Sequence, residues 1–171
     1  MRYFAYGSNM SVARLRERAP SAEVVGVARL RQHQLRFHKV GTDGSGKCNI
    51  WRTGKGADVV FGVIYELDDA DRPALDAAEN LGTGYEIHTV ELELDDAGVT
   101  HAEAYVAIPI NDDLAPFDWY HALVVAGARE HQLPEAYIQD IEAQRVFADR
   151  DRERAHRHYR LLDATWSVYA A

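Results

Sequence analysis

Cysteine is almost absent from this chain of 171 residues, which contains only Cys48. A single cysteine excludes an internal disulfide and any zinc cluster built on cysteines, and it fits a reducing compartment, so we expect a cytoplasmic protein. None of the eight histidines forms a His-x-x-x-His pair beside a glutamate, and we expect no metal. No base can be assigned to Cys48 either, which favours a small buried apolar residue over a nucleophile.

Positive charge is also scarce, with 19 Lys and Arg against 27 Asp and Glu and a formal net charge of -8. This balance argues against binding to nucleic acid or to an anionic membrane surface. There is no basic segment followed by an apolar signal core, and no run approaches the roughly 20 apolar residues that span a bilayer. We expect one domain, a small-molecule partner, and a monomer or homodimer.

One glycine-rich run imitates a phosphate-binding loop without its chemistry. Residues 41–48, Gly-Thr-Asp-Gly-Ser-Gly-Lys-Cys, match the loop pattern until Cys48 replaces the Ser or Thr that would hold magnesium. The following residues read as a strand ending at Gly54, so the helix N-terminus that would supply aligned N–H groups is missing. We predict a hairpin loop, and a nucleotide-binding function depends on this loop alone.

Strand patterns dominate residues 1–108 and helix patterns dominate the rest, which predicts the α+β class. The predicted strands, separated by short Gly-rich or acidic turns that favour antiparallel pairing, are Tyr3–Tyr6, Glu23–Leu30, Gln34–Val40, Cys48–Arg52, Val59–Leu67, Tyr85–Leu94 and Ala102–Ile108. Seven short strands with few helical crossovers predict a small, strongly bent sheet or barrel. Within Tyr85–Leu94 the apolar residues change from one face of the strand to the other, and we expect a bulge near Thr89.

The predicted helices are Val12–Arg18, Pro73–Asn80, Trp119–His131 and Pro134–Gln144. Residues 147–160 are dense in mixed charge and predict a solvated terminal helix, so we divide the chain into a domain at 1–146 and a charged helix with an aromatic tail at 147–171. The tail Trp166–Tyr169 either docks onto the body or onto a neighbouring subunit.

The start of the chain joins an aromatic strand to a small polar turn and a helix. Gly7 allows a tight reversal, and Ser8 or Asn9 can cap the helix at Val12–Arg18 while leaving backbone N–H groups free. Free N–H groups of this kind attract a carboxylate or a developing oxyanion. Alternatively, the segment is an ordinary strand, turn and helix with a capping Asn.

A carboxylate suited to proton transfer is predicted at Glu79. Leu75 must face the core and lies four residues before Glu79 on the same helix face, while Asp76 and Asn80 fall on other faces. A carboxylate drawn toward the interior prefers the neutral form, which moves its proton affinity toward that of a general acid/base. The alternative is a salt-bridged Glu or a Glu exposed at the rim.

Tyr105 is a third candidate. The apolar face of Ala102–Ile108 leaves His101, Glu103 and Tyr105 on the other face, which meets solvent or a polar cavity. A phenol in a cavity could donate a hydrogen bond to a ligand, although a tyrosine on a solvated strand face is also compatible with the pattern.

Three motifs together resemble the gamma-glutamylcyclotransferase-like family across roughly residues 2–145. They are Tyr6-Gly7-Ser8-Asn9, the stretch from Leu75 through Glu79 to Gly84-Tyr85, and the run at 126–137, Ala-Gly-Ala-Arg-Glu-His-Gln-Leu-Pro-Glu-Ala-Tyr. The resemblance implies a compact mixed, mainly antiparallel β-barrel with flanking helices and a glutamate-binding cavity. It further implies that Glu79 is the catalytic acid/base, that residues 6–9 and Tyr85 bind the gamma-glutamyl substrate, and that Tyr105 lines its pocket.

The chemistry implied by the resemblance is cofactor-free. The alpha-amine of a gamma-glutamyl amide attacks its own gamma-carbonyl and releases pyroglutamate (5-oxoproline) with a free amine or amino acid. Arg2 or Arg36 would pair with the substrate carboxylate. The sequence leaves the leaving group open among gamma-glutamyl amino acids, gamma-glutamylated amines, gamma-glutamyl-lysine and protected biosynthetic intermediates. A non-catalytic binding protein for a small acidic metabolite and an amide hydrolase are the rival functions.

Overall fold

The computed structural model describes residues 1–95 and 98–169, with side chains described as far as residue 162. The strands of this part of the chain are β1 (Arg2–Ala5), β2 (Glu23–Arg31), β3 (His33–Val40), β4 (Gly46–Arg52), β5 (Val59–Glu66), β6 (Tyr85–Leu94) and β7 (Val99–Ala107). Its helices are α1 (Val12–Arg16), α2 (Arg72–Ala78), α3 (Asp118–Glu130), α4 (Glu135–Glu142) and α5 (Arg152–Tyr169).

Five of the strands close into a barrel in the order β1-β5-β2-β6-β7, and β3 and β4 form a separate hairpin. The barrel closes through a parallel contact of β1 with β7, where Tyr3 lies opposite Glu103, whereas the remaining neighbours are antiparallel. This confirms the α+β class and the mixed, mainly antiparallel barrel with flanking helices that the sequence and its family resemblance predicted.

The barrel core is packed so closely that Gly62 of β5 has no space for a side chain beside β1. Phe4 and Ile64 lie opposite each other and are buried, and a Cβ on Gly62 would come within 2.5 Å of the Ala5 carbonyl oxygen. Burying a side chain such as Phe4 stabilises the fold by roughly 1.5–3 kcal/mol relative to leaving it exposed. The tight packing fixes the end of β1, and the N-terminal loop begins there.

The predicted bulge near Thr89 is wrong. The β6–β7 register runs without a shift from Tyr85 opposite Ala107 to Glu93 opposite Val99. The apolar phase slips because the two faces of β6 are covered at different ends of the strand. Tyr85 is buried toward the hairpin, with its hydroxyl on the Cys48 carbonyl, and Leu92 is buried in the core.

The terminal segment forms the predicted helix, but the helix begins at Arg152 and one of its faces is packed rather than solvated. The His158 ring stacks on Trp119 of α3 with the ring centroids 3.9 Å apart. Arg154 forms two hydrogen bonds of 2.6 Å with the buried Asp149 carboxylate. The side chains of Trp166–Tyr169 lie outside the described part of the structure, as do residues 170 and 171. No helix among the described residues is long and apolar enough to cross a membrane.

Candidate active site

A polar cavity of about 400 Å³ opens beside the barrel, between the loop after β1, the end of α2, the β3–β4 loop, and helices α3 and α5. The sequence singled out seven residues for binding or catalysis, and all of them line this cavity: Tyr6, Gly7, Ser8, Asn9, Glu79, Tyr85 and Tyr105. Tertiary folding therefore brings together three motifs that are far apart in sequence.

The loop after β1 differs from the predicted helix start. Ser8–Met10 form a 3-10 turn, and Ser11 caps α1 by accepting a hydrogen bond from the Arg14 amide at 3.5 Å. The helix begins at Val12 as predicted, but the prediction that Ser8 or Asn9 caps it is wrong, because Ser11 directly before Val12 is the cap. In residues 1–95 and 98–169, no acceptor is found for the backbone amides of Gly7, Ser8 and Asn9. Because Gly7, Ser8 and Asn9 also line the cavity, we infer that their amides can bind an anionic group there.

Gly7 is required for space rather than for its backbone conformation. Its φ is −120°, which other residues also adopt, so the expected conformational role is wrong. A Cβ at this position would lie 2.9 Å from the Cβ of Cys48 and 3.3 Å from the Tyr120 hydroxyl. The missing side chain lets the loop approach the β4 strand, which places its amides at the cavity wall.

Glu79 is the C-terminal cap of α2, one residue beyond the helix at Arg72–Ala78. The helix ends there because Asn80 turns into the left-handed region at φ 51°, which Asn tolerates at helix ends. Leu75 is fully buried, and the Glu79 side chain retains 14% exposure toward the cavity. The expected relation between these two residues is confirmed, although the helix stops before Asn80.

The carboxylate of Glu79 has two protein partners. Asn9 Nδ2 and Arg18 Nη1 each donate a hydrogen bond of 2.9 Å to Glu79 Oε1. Arg18 Nη1 also donates to Asn9 Oδ1 at 2.8 Å, and Asn9 Nδ2 donates to the Tyr3 hydroxyl at 3.0 Å. The Arg18 guanidinium also forms a salt bridge with Glu79, so one cation lies directly beside the carboxylate. Sequence reasoning missed Tyr3 and Arg18, since neither carried a pattern that linked it to Glu79.

Three of the tyrosines that line the cavity donate hydrogen bonds to other groups of the protein. Tyr6 donates to the backbone carbonyl of Tyr105, Tyr85 donates to the carbonyl of Cys48 at 2.8 Å, and Tyr105 donates to Asp76 Oδ1 at 2.5 Å. Burial raises the pKa of all three phenols, which keeps them protonated near neutral pH. Asp76 is outside the lining as expected, but it holds Tyr105 in position.

Five cations line the cavity: Arg14, Arg18, Lys39, Lys47 and Arg154. Three of them have carboxylate partners, since Arg18 pairs with Glu79, Lys47 with Asp43 and Arg154 with Asp149. Arg14 and Lys39 form no salt bridge within the described residues.

The two arginines that the sequence proposed for a substrate carboxylate are placed elsewhere. Arg2 is paired with Glu66 on the barrel exterior, and Arg36 lies over the Trp51 ring of the hairpin. Neither side chain lines the cavity, so the structure overturns both candidates. The strand patterns that contain these residues gave no information on which face would meet the cavity.

The remaining sequence motifs have structural roles. Residues 41–45 form the predicted hairpin turn between β3 and β4, in which Asp43 accepts hydrogen bonds from the Ser45 amide and from Lys47. Cys48 is buried, and burial raises the pKa of its thiol to about 12, so it is protonated and not a nucleophile at neutral pH. Across the part of the chain that the structure describes, no cluster of three His, Cys, Asp or Glu could hold a metal.

The fold and the cavity define a small α+β barrel enzyme in which the Glu79 carboxylate is hydrogen-bonded to the loop after β1. A profile of the AIG2-like family matches residues 59–141. The gamma-glutamylcyclotransferase of Homo sapiens is 28% identical over 148 residues, which span 82% of this chain and 77% of the human protein. The Mus musculus protein of the same name gives 28% over 149 residues, with the same coverage of both chains.

A solved structure of a gamma-glutamyl cyclotransferase superposes on this chain with a TM-score of 0.79 at 26% identity, covering 87% of this chain and 90% of that one. These matches confirm the resemblance to the gamma-glutamylcyclotransferase-like family that its sequence motifs showed.

Proposed function

We propose that this protein is a gamma-glutamylcyclotransferase that converts a gamma-glutamyl amide into pyroglutamate and a free amine or amino acid. The relatives that carry this name support the activity, and so does the placement of Glu79 beside the loop at residues 6–9. The single observation that carries the proposal is the hydrogen bond of 2.9 Å between Asn9 Nδ2 and Glu79 Oε1. It places a carboxylate next to backbone donors in one cavity.

The reaction requires one proton carrier. The alpha-amine nitrogen forms a bond to the gamma-carbon, the bond from that carbon to the leaving nitrogen breaks, and a five-membered lactam results. The alpha-ammonium nitrogen loses two protons as it becomes the lactam N–H, and the leaving nitrogen gains two as it departs as an ammonium. Glu79 carries these protons one after the other, so protons balance without water, nucleotide or metal. Because the attack is intramolecular, holding the folded conformer of the substrate supplies much of the rate.

The loop supplies the electrostatic component. We assign the amides of Gly7, Ser8 and Asn9 to the oxyanion that develops on the gamma-carbonyl oxygen, or to the alpha-carboxylate of the same substrate. Ser8 Oγ accepts a hydrogen bond from Arg14 Nε at 3.0 Å, which leaves the hydroxyl proton of Ser8 able to donate into the cavity. We assign Tyr6, Tyr85 and Tyr105 to the wall that shapes the substrate site.

We also infer that the protein acts in the cytoplasm, as a monomer or a homodimer. Its single buried Cys48, without a disulfide, supports a reducing compartment. The partner is a small molecule, because the cavity has the size of a ligand site.

The proposal is tested by incubating the purified protein with a panel of gamma-glutamyl dipeptides and gamma-glutamyl amines and identifying the products by mass spectrometry. We expect pyroglutamate and an equal amount of the free amine. Free glutamate as the acid product would identify an amide hydrolase. Tight binding of the panel without any product would identify a binding protein on the same fold.

A further inference from the structure

The Lys39 ammonium is an unusual feature of the cavity. Lys39 is 4% exposed and lines the cavity, and its side chain forms neither a hydrogen bond nor a salt bridge among the described residues. Its nearest aromatic contact is the Tyr85 ring, whose centroid lies 4.7 Å from Nζ. Glu79 and Asp43 attract the ammonium from beyond salt-bridge distance, but burial removes its hydration and lowers its pKa on balance. Lysine stems often lie along apolar surface, but their charged ends then reach water or a partner.

The strand register makes the placement more costly still. Lys39 of β3 lies directly opposite Lys47 of β4, and like charges in that relation destabilise a strand pair. Lys47 is compensated by Asp43, whose Oδ2 is 2.7 Å from its Nζ, whereas Lys39 forms no salt bridge within the part of the chain that the structure describes. Proteins tolerate such local conflicts where a ligand completes the arrangement. A bound anion would offset both the burial and the repulsion.

The position of Lys39 relates it to the leaving group. A Cβ on Gly84 would lie 3.2 Å from Lys39 Nζ and 2.9 Å from the Glu79 carbonyl oxygen, so the ammonium lies close to the end of α2. Under the proposed function, Glu79 contacts the attacking nitrogen and then the leaving nitrogen. The glutamyl half is assigned to the loop amides, beside Arg14, which donates to Ser8 and forms no salt bridge within the described residues. Lys39 lies on β3, away from that loop, and its ammonium can therefore contact the leaving amine of the substrate.

We propose that Lys39 is the specificity-determining residue for the leaving group, and that its ammonium binds a carboxylate carried by the departing amine. This inference rests on the proposed function and deepens it. A gamma-glutamyl amino acid has two carboxylates, one on each side of the scissile amide, and the cavity has two cations without a carboxylate partner in the described structure. The preferred substrates are therefore amides of amino acids or peptides rather than of neutral amines or polyamines.

The test compares two substrates that differ only in this carboxylate, gamma-glutamyl-alanine and gamma-glutamyl-ethylamide. We expect the wild type to prefer the alanine compound, and Lys39→Met to lower kcat/KM for it by roughly 10- to 100-fold, the range for a lost hydrogen bond to a charged group. For the ethylamide we expect a fall of about threefold or less. Lys39→Arg should retain part of the preference, and Lys55→Met, at an exposed lysine, should retain all of it.

An equal fall in kcat/KM for both substrates in Lys39→Met would overturn the proposal, since Lys39 would then bind the glutamyl half. Wild-type kcat/KM for both substrates in this variant would overturn it as well. Melting temperatures show whether each variant folds, and Met keeps the apolar stem of the side chain. The ratio of the two substrates decides the question whichever acid product forms, and calorimetric binding of both compounds gives the same ratio without turnover. The identity of the product tests the proposed function separately.

Discussion

Asn9 and Glu79 are 70 residues apart in the chain and are joined by a hydrogen bond of 2.9 Å between the Asn9 amide nitrogen and Glu79 Oε1. Arg18 closes the contact by donating to both side chains. The side-chain amide of Asn9 is held by three hydrogen-bond partners, Tyr3, Glu79 and Arg18, so the distance between the loop and the carboxylate is fixed before a substrate binds. Such preorganisation is what stabilisation of a developing oxyanion requires.

A methyl group at Gly7 should displace the loop. In Gly7→Ala the new Cβ would lie 2.9 Å from the Cβ of Cys48, and the loop or β4 must shift to relieve the contact. We expect loss of substrate binding and of turnover, measured as kcat/KM, together with a lower melting temperature. Gly26→Ala is the matched control, because a Cβ there meets no atom within 4 Å. Normal kinetics in Gly7→Ala would remove the loop from the mechanism.

Removing the Ser8 hydroxyl should affect turnover more than folding. Ser8→Ala loses the acceptor for Arg14 Nε and one donor to the cavity. The fall in kcat is expected to approach the roughly 10²–10³-fold that accompanies loss of one oxyanion donor. Steady-state kinetics and a thermal melt on the same sample separate the two effects, and an unaltered kcat would contradict the assignment.

Asp76 should matter through Tyr105. The Asp76 carboxylate accepts a hydrogen bond of 2.5 Å from the Tyr105 hydroxyl. Asp76→Asn replaces this carboxylate with a neutral amide, which is a weaker acceptor. We expect a modest loss of activity, similar in size to that of Tyr105→Phe, and little further loss in the double variant because both changes break one contact. Additive losses in this double-mutant cycle would show that Asp76 acts elsewhere.

The contact of α5 with α3 should weaken in acid. Burial, with the nearby charges of Arg14 and Lys47, lowers the pKa of His158 to about 4, and Arg14 Nη1 lies 3.2 Å from its Nδ1. The unfolded chain gains a proton near pH 6.5 and the folded one only near 4. The stabilising contribution is therefore present above pH 6.5 and is lost as the pH falls toward 4.

Urea unfolding across this pH window tests the assignment. His158→Gln keeps an acceptor for Arg14 without titrating, so its stability should depend less on pH than that of the wild type. The matched control is His156→Gln, at an exposed histidine of the same helix, and it should follow the wild type. The same pH dependence in His158→Gln and wild type would contradict the assigned cause.

Local patterns were sufficient for most of the architecture. Strand alternation and turn residues located the seven strands within a few residues, and the family motifs identified the seven residues that now line one cavity. The errors arose where tertiary contacts decide. The change of apolar face along β6 was interpreted as a bulge, because the sequence of one strand does not show which end of each face other elements will pack against.

The electrostatic partners in the cavity were not predictable in this way. Arg18 reaches Glu79 across 61 residues, and Lys39 gains its importance from being opposite Lys47 and from the approach of Gly84. Likewise, His158 was expected in solvent, since mixed charge in a helix says nothing about the Trp119 ring that covers one of its faces. Charge and burial at these positions follow from the closed fold and not from neighbouring residues.

Turnover of Glu79→Gln, measured beside ligand binding, tests the central claim most directly. The glutamine oxygen can still accept from Asn9 and Arg18, so the variant should fold and bind a gamma-glutamyl ligand with little change. Its pyroglutamate formation should fall by at least roughly 10²–10⁴-fold, because an amide cannot carry the proton. Glu86→Gln, at an exposed glutamate, serves as the control. Pyroglutamate formed at the wild-type rate by Glu79→Gln would contradict the account.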